Sequence, residues 1–289
     1  MNLAHVKPTI FVFLLFTMIN PAFAQKKKAY QIFTSKGKKV TYKKILKKLS
    51  AADIVFFGEL HNNAIAHWLQ YETTNDLLQK RELILGAEMI EADNQDALNQ
   101  YLKGSITEKE LSEKVRLWPN YNTDYKPLVE IAKNNQLPFI ATNVPRRYAS
   151  MVYKKGVKSL DTLSTKEKAW IAPLPFAYDA EVNCYKKMLS MGAGHGGDNL
   201  PKAQALKDAT MAHFILKNHK ADKLFLHFNG AYHSDYYEGI IWQLRQTNQK
   251  LNIVSISTVN QSQLKKLNDD AKGKADFIIV VDDNMPTTY

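Results

Sequence analysis

The chain has 289 residues, 45% of them hydrophobic, which excludes a disordered protein and leaves enough apolar surface for one large α/β core. Its single cysteine, Cys184, excludes an intramolecular disulfide, and no cysteine-hydrolase motif surrounds it, so it reads as a small buried apolar residue. The formal net charge of +11 points to a solvated basic surface or to attraction for anionic ligands or an anionic membrane face, while the lack of any recognition motif argues against nucleic acid.

In chain order, residues 1–24 read as a secretory signal peptide. Lys7 precedes the apolar run Ile10–Ile19, and Ala22-Phe23-Ala24 forms a small-x-small cleavage site before Gln25. Export to the periplasm follows as an expectation. No cysteine lies near the cleavage site, so lipoprotein anchoring is not expected, and no later segment approaches membrane-spanning length. The remainder, 25–289, is expected to be a single α/β domain.

Lysines then cluster at Lys26–Lys28, at Lys36, Lys38 and Lys39, and at Lys43, Lys44, Lys47 and Lys48, with a later group at Lys154, Lys155 and Lys158. Tyr30–Ser35 is predicted as an edge strand and Tyr42–Leu49 as a short helix. Strands are predicted at Ile54–Phe57, Leu83–Ala87, Phe139–Thr142, Leu224–Phe228, Ile253–Ser257 and Phe277–Val281. Most are apolar without polar alternation, as parallel strands covered on both faces must be. Helical patterns fill the gaps at Ala64–Gln79 (capped by Asn62 or Asn63), Asn94–Leu102, Thr107–Val115, Lys126–Asn134 and Tyr236–Gln246. The alternation predicts an open, mostly parallel sheet with helices on both faces.

One connection is anomalous. The stretch 144–222 between the third and fourth of these core strands far exceeds the usual loop of roughly two to six residues. It contains helical patterns at Arg147–Lys154, Thr165–Trp170, Glu181–Met191 and Pro201–Lys217, and a glycine-rich segment, Met191 to Asp198. A helical insertion, or lid, over one end of the sheet is the expected arrangement, and such segments often carry ligand contacts.

The residues closing the core strands carry the chemistry. They are Gly58-Glu59-Leu60-His61, Gly86-Ala87-Glu88, Asn143 through Arg146, and Asn229-Gly230-Ala231-Tyr232-His233. In a parallel sheet these clusters share the carboxyl edge, where α/β folds bind ligands. Two imidazoles with carboxylates suit a divalent metal such as zinc, manganese or iron, so His61, Glu88 and His233 are candidate ligands. Glu59 would then be a general base on bound water and Arg146 an oxyanion partner. Gly58 and Gly230 would let the backbone turn sharply there, with Asn143 and Asn229 lining the site.

These motifs resemble the superfamily of haem-uptake ChaN proteins, Tiki proteases, TraB proteins and erythromycin esterases, over roughly Ala51–Thr258. Within it they are most similar to the ChaN branch, and Gln204-Ala-Leu-Lys-Asp-Ala-Thr-Met-Ala212 resembles that branch's lid helix. The resemblance implies haem binding with tyrosine as an iron ligand, dimerisation around the cofactor, and an envelope haem transporter as partner. Placement in the insertion singles out Tyr178 and Tyr185, with Met188 and Met191 as an adaptable apolar wall and His195 as a contact to ligand or propionate. Two functions of different class stay open: an exported haem-binding protein of iron uptake, and a metal-dependent hydrolase of peptidase or esterase type.

Overall fold

Successive side chains on a strand point to opposite faces, so an all-apolar strand has two surfaces to bury. The computed structural model describes residues 27–191 and 197–289; the signal-peptide expectation for residues 1–24 and the contact expected of His195 lie outside the described residues. The strands are β1 (Tyr30–Thr34), β2 (Ile54–Glu59), β3 (Leu83–Glu91), β4 (Phe139–Asn143), β5 (Leu224–Gly230), β6 (Ile253–Gln261) and β7 (Phe277–Asp282). Among the described residues they form one seven-stranded sheet in the order β1-β7-β6-β2-β5-β3-β4. Only β1 runs antiparallel, along the outer edge of β7; the other pairs are parallel. This is the expected open, mostly parallel α/β sheet.

The helices are α1 (Tyr42–Leu49), α2 (Ala64–Leu78), α3 (Gln95–Leu102), α4 (Glu108–Lys114), α5 (Lys126–Asn134), α6 (Arg146–Lys155), α7 (Thr165–Lys168), α8 (Asn183–Met191), α9 (Asn199–Asn218) and α10 (Ile240–Thr247). Val55 and Phe57 of β2 face a core closed by α2, α3 and α5 through Leu69, Leu77, Leu98 and Leu128. Ile54 and Phe56 face the other side, where Met211 and Ile215 of α9 and Ile240 and Leu244 of α10 cover them. Truncating Phe56 to alanine in so closed a layer costs about 3–5 kcal/mol.

Three expectations are corrected. The strands run past their predicted ends, so Glu59, Glu88 and Gly230 lie within β2, β3 and β5 rather than after them. The register of β3 against β4 shifts between Ala87 and Glu91, an irregularity that spans Glu88. The helix predicted over Tyr236–Gln246 starts only at Ile240, because Gly239 takes a φ of 54° and breaks it from two short 3₁₀ turns, Ala231–His233 and Asp235–Tyr237. Finally, Gly58 and Gly230 do not turn the chain sharply; neither has a positive φ, and their role is close approach, as described below.

Within 144–223, α6 packs on α9 through Val144, Tyr148, Val152, Ala203 and Leu206, forming a small core of its own beside the sheet.

Candidate functional site

Because β2, β5 and β3 are adjacent and parallel, their carboxyl ends bring Glu59, His61, Gly230, His233 and Glu88 to one place. A cavity of about 820 Å³ opens there. Of the residues predicted from sequence, Glu59, His61, Glu88, Asn143, Arg146, Met188, Gly230 and His233 line it. Most of them stand at or next to the ends of strands and helices, as expected of a sheet edge, while Glu88 and Met188 come from within β3 and α8.

Two hydrogen-bonded networks meet across the cavity. In the first, Glu59 is 1% exposed and accepts from His61 Nδ1 at 2.9 Å, from the Tyr125 hydroxyl at 2.8 Å and from Gln70 Nε2 at 2.5 Å. His61 Nδ1 therefore carries the proton, and its Nε2 has no hydrogen-bond partner among the described residues. The carbonyl of His61 accepts from Asn120 Nδ2 at 2.8 Å and from His67 Nε2 at 3.1 Å, and Trp118 packs edge-on against its ring at 4.9 Å. Burial would lower the pKa of His61, but the Glu59 hydrogen bond and the charges of Glu88 and Glu59 outweigh it and raise the pKa.

Gly230 explains itself here. A Cβ on it would stand 2.6 Å from His61 Nε2, so the imidazole lies directly on the backbone of β5. The Gly230 N–H in turn donates to Glu88 Oε2 at 2.8 Å, which begins the second network. Gly58 lies one residue behind the cavity lining, where a Cβ would meet Ile256 O at 2.9 Å.

In that second network His233 is held between two carboxylates, with Nε2 3.2 Å from Glu88 Oε1 and Nδ1 2.5 Å from Asp208 Oδ1. Burial opposes charge on His233, but Glu88 and Asp208 overcome it and its pKa is pushed up to about 10. Burial likewise opposes charge on Glu88, yet His233, His61 and the Gly230 N–H hold its pKa well below the usual carboxylate range. At neutral pH this is an imidazolium flanked by carboxylates.

The metal expectation for His61, Glu88 and His233 finds no support in this arrangement. Both nitrogens of His233 instead face carboxylates, those of Glu88 and Asp208, at hydrogen-bond distance. Among the described residues no group of three or more His, Cys, Asp or Glu is placed to hold a metal ion. Glu59 is likewise not a free base, since its oxygens are occupied by three donors.

The tyrosines depart from expectation too. Tyr185 is fully buried and donates to Asp208 Oδ2 at 3.0 Å, so it braces the second network from behind and does not line the cavity. Tyr178 packs on the Tyr185 ring at 5.7 Å and is also outside the lining. Met188 reaches the cavity; Met191 ends α8 and its side chain lies outside the described residues. Asn229 is buried beneath the site, where its amide bonds His227, the Gly230 carbonyl and Ser234. Asn143 is at the lining, and its Oδ1 is buried with no partner among the described residues.

Sequence reasoning missed Arg116 and Trp118, which enter from the loop after α4, and Tyr232, Glu91 and Lys207. It also missed Asp208 as the partner of His233. Gln204 and Asp208 stand four residues apart on α9 and both reach His233, a same-face pair visible in the spacing itself.

The family model described as "Haem-binding uptake, Tiki superfamily, ChaN" matches residues 45–244. Among solved structures, the chain is similar to that described as cofacial heme binding to ChaN of Campylobacter jejuni, with 20% identity and a TM-score of 0.63 over 88% of this chain and 98% of that one. A Bacillus cereus protein and one described as a succinoglycan biosynthesis protein each align at 11% identity and a TM-score of 0.52, over 83% of this chain and 90% of theirs. Among curated protein sequences none matches. At these identities the structural neighbours establish the fold, and the family match over most of the chain establishes the lineage. The chain belongs to the haem-binding uptake (ChaN) family of the Tiki superfamily.

Proposed function

We propose that this protein binds haem in the cavity at the sheet edge and serves haem or iron uptake as an exported, periplasmic protein. The observation that carries the reading is a histidine lining a large cavity, His61, whose Nε2 is left without a hydrogen-bond partner among the described residues because Glu59 takes the other nitrogen.

The residues present fit haem. The volume of about 820 Å³ lies within the roughly 300–1,000 Å³ of small-molecule sites. Leu60, Trp118, Pro119, Val144 and Met188 supply an apolar wall, and the guanidinium groups of Arg116 and Arg146 with Lys207 supply cations for propionates. Haem supplies an iron that takes axial donors, tuned by the ligand and its surroundings. His61 is the donor the cavity offers, with Glu59 fixing its tautomer as carboxylates do for ligating histidines. The tyrosine on the lining, Tyr232, donates its hydroxyl to the Cys184 carbonyl at 2.6 Å. Cofacial haem binding is described for the Campylobacter jejuni protein, and a second copy of this chain around the cofactor is what the resemblance to that branch implies. An envelope haem transporter is the partner that uptake requires.

Haemin titration of the purified protein tests the reading. A saturable Soret shift is expected, and one that changes position in His61→Ala. Absence of any saturable shift rejects haem binding; a shift identical in His61→Ala rejects the ligand. Cell fractionation tests the location.

A hydrolase is the second reading, favoured by the same Glu59–His61 pair, which has the geometry of an oriented general base. Ester or peptide hydrolysis lost in His61→Ala and retained in Met188→Ala would support it.

A further inference from the structure

From Lys27 to Ser50 the chain contains nine lysines and no acidic residue. The fold does not pair them off. On α1, Ile45, Leu46 and Leu49 turn to the core, so the opposite face presents Lys43, Lys44, Lys47 and Lys48 to solvent. Lys27, Lys28, Lys36, Lys38 and Lys39 are exposed as well. None of the nine has a salt-bridge partner among the described residues, although Lys126, Lys186, Lys223, Lys272 and Lys274 elsewhere all do.

A second feature adjoins this one. Trp68 and Tyr71, one turn apart on α2, are 48% and 40% exposed, and they are among the few large hydrophobic side chains left in water. Trp68 meets the ring of Tyr30 on the edge strand at 6.1 Å. Tyr30 and Tyr42 share a surface groove with Lys28 and Lys39, and Tyr42 opens α1, where its hydroxyl bonds Asp76 of α2 at 2.8 Å. The lysines and the aromatics therefore form one continuous surface. The acids that face it from α2 are Glu72 and Asp76, and Asp76 is engaged by Tyr42.

We propose that this surface, formed by α1, β1 and the outer side of α2, docks the protein on an anionic lipid bilayer. Lysines in excess over acids are drawn to an anionic leaflet, and tryptophan and tyrosine sit at the level of its headgroups with the ring apolar and the polar edge wet. Nucleic acids and acidic proteins also engage lysine and aromatic side chains, and the heparin arm below separates them from a bilayer. The surface is distinct from the cavity lining, so the inference stands apart from haem binding.

Co-sedimentation of the purified protein with vesicles tests it, using phosphatidylglycerol–phosphatidylethanolamine against pure phosphatidylcholine. Binding to the anionic vesicles only is expected, falling at least tenfold between 50 and 300 mM salt as screening shortens the reach of the lysine charges. The variant Lys43→Gln/Lys44→Gln/Lys47→Gln/Lys48→Gln should lose at least tenfold in affinity. Trp68→Ser should lose severalfold with the salt dependence retained, and the fluorescence blue shift on vesicle addition should vanish with it. Circular dichroism melts confirm that both variants fold; a variant that does not is replaced by Lys44→Gln/Lys48→Gln or Trp68→Tyr. No binding to anionic vesicles, equal binding to neutral ones, or full affinity in both variants overturns the proposal. Tight binding to heparin with none to vesicles also overturns it, and marks the surface as a polyanion site.

Discussion

His61 Nδ1 lies 2.9 Å from Glu59 Oε1, and this single contact decides that Nε2 is the nitrogen left without a hydrogen-bond partner among the described residues. Glu59 closes β2 and His61 follows it two positions on, so the pair is local in sequence. Its rigidity is not local. Tyr125 and Gln70 hold the carboxylate, while Asn120 and His67 hold the backbone carbonyl of His61.

Glu59→Gln should therefore change ligand binding without touching ligand. The amide cannot accept from His61, Tyr125 and Gln70 together, which leaves a buried donor unsatisfied at a cost of about 1–3 kcal/mol. The pKa of His61 should fall, because the Glu59 interaction raises it. Haemin titrations and the NMR titration of His61 measure both effects. In the unmodified protein a proton competes for Nε2, so haem affinity should drop as the pH falls below the raised pKa of His61.

The Glu88–His233–Asp208 network predicts a pH window for stability. His233 is raised from 6.5 to about 10, so its contribution is fully present below 6.5 and is lost as the pH rises through about 10. Glu88 is lowered from 4.5, so its contribution is present above that value and is lost as the pH falls below it. The network thus stabilises most between about 4.5 and 6.5 and weakens on either side. Thermal melts across pH should show this dome, and His233→Gln should flatten its alkaline limb.

Gly230→Ala should displace His61 while keeping the fold. The backbone at Gly230 has φ −56° and ψ 133°, which alanine adopts freely. The new methyl would stand 2.6 Å from His61 Nε2, so the ring must move, with an overpacking cost of about 1–3 kcal/mol. A weakened Soret response with a cooperative melt is the expected pair of results.

Tyr185→Phe should cost stability and leave the haem spectrum alone. The hydroxyl donates to a charged, buried Asp208, and such bonds contribute about 1.5–3 kcal/mol. A Soret band moved by this variant, measured beside an unchanged melting temperature, would reverse the assignment of Tyr185 to the supporting network.

The sequence by itself determined the order of strands and helices, because apolar runs of strand length between amphipathic segments leave a parallel sheet covered on both faces as the consistent solution. It also determined that Glu59, His61, Glu88 and His233 share an edge, since parallel strands present equivalent ends on one side. Only the tertiary structure decided what those groups do. Gly230 meets Glu88 across 142 positions, Tyr125 meets Glu59 across 66, and Asp208 meets His233 from a helix of the insertion. Such partners depend on strand register and helix seating rather than on spacing along the chain. They seat His233 between two carboxylates, place Tyr185 behind that network rather than on the cavity lining, and leave His61 Nε2 without a hydrogen-bond partner among the described residues because Glu59 has taken the other nitrogen.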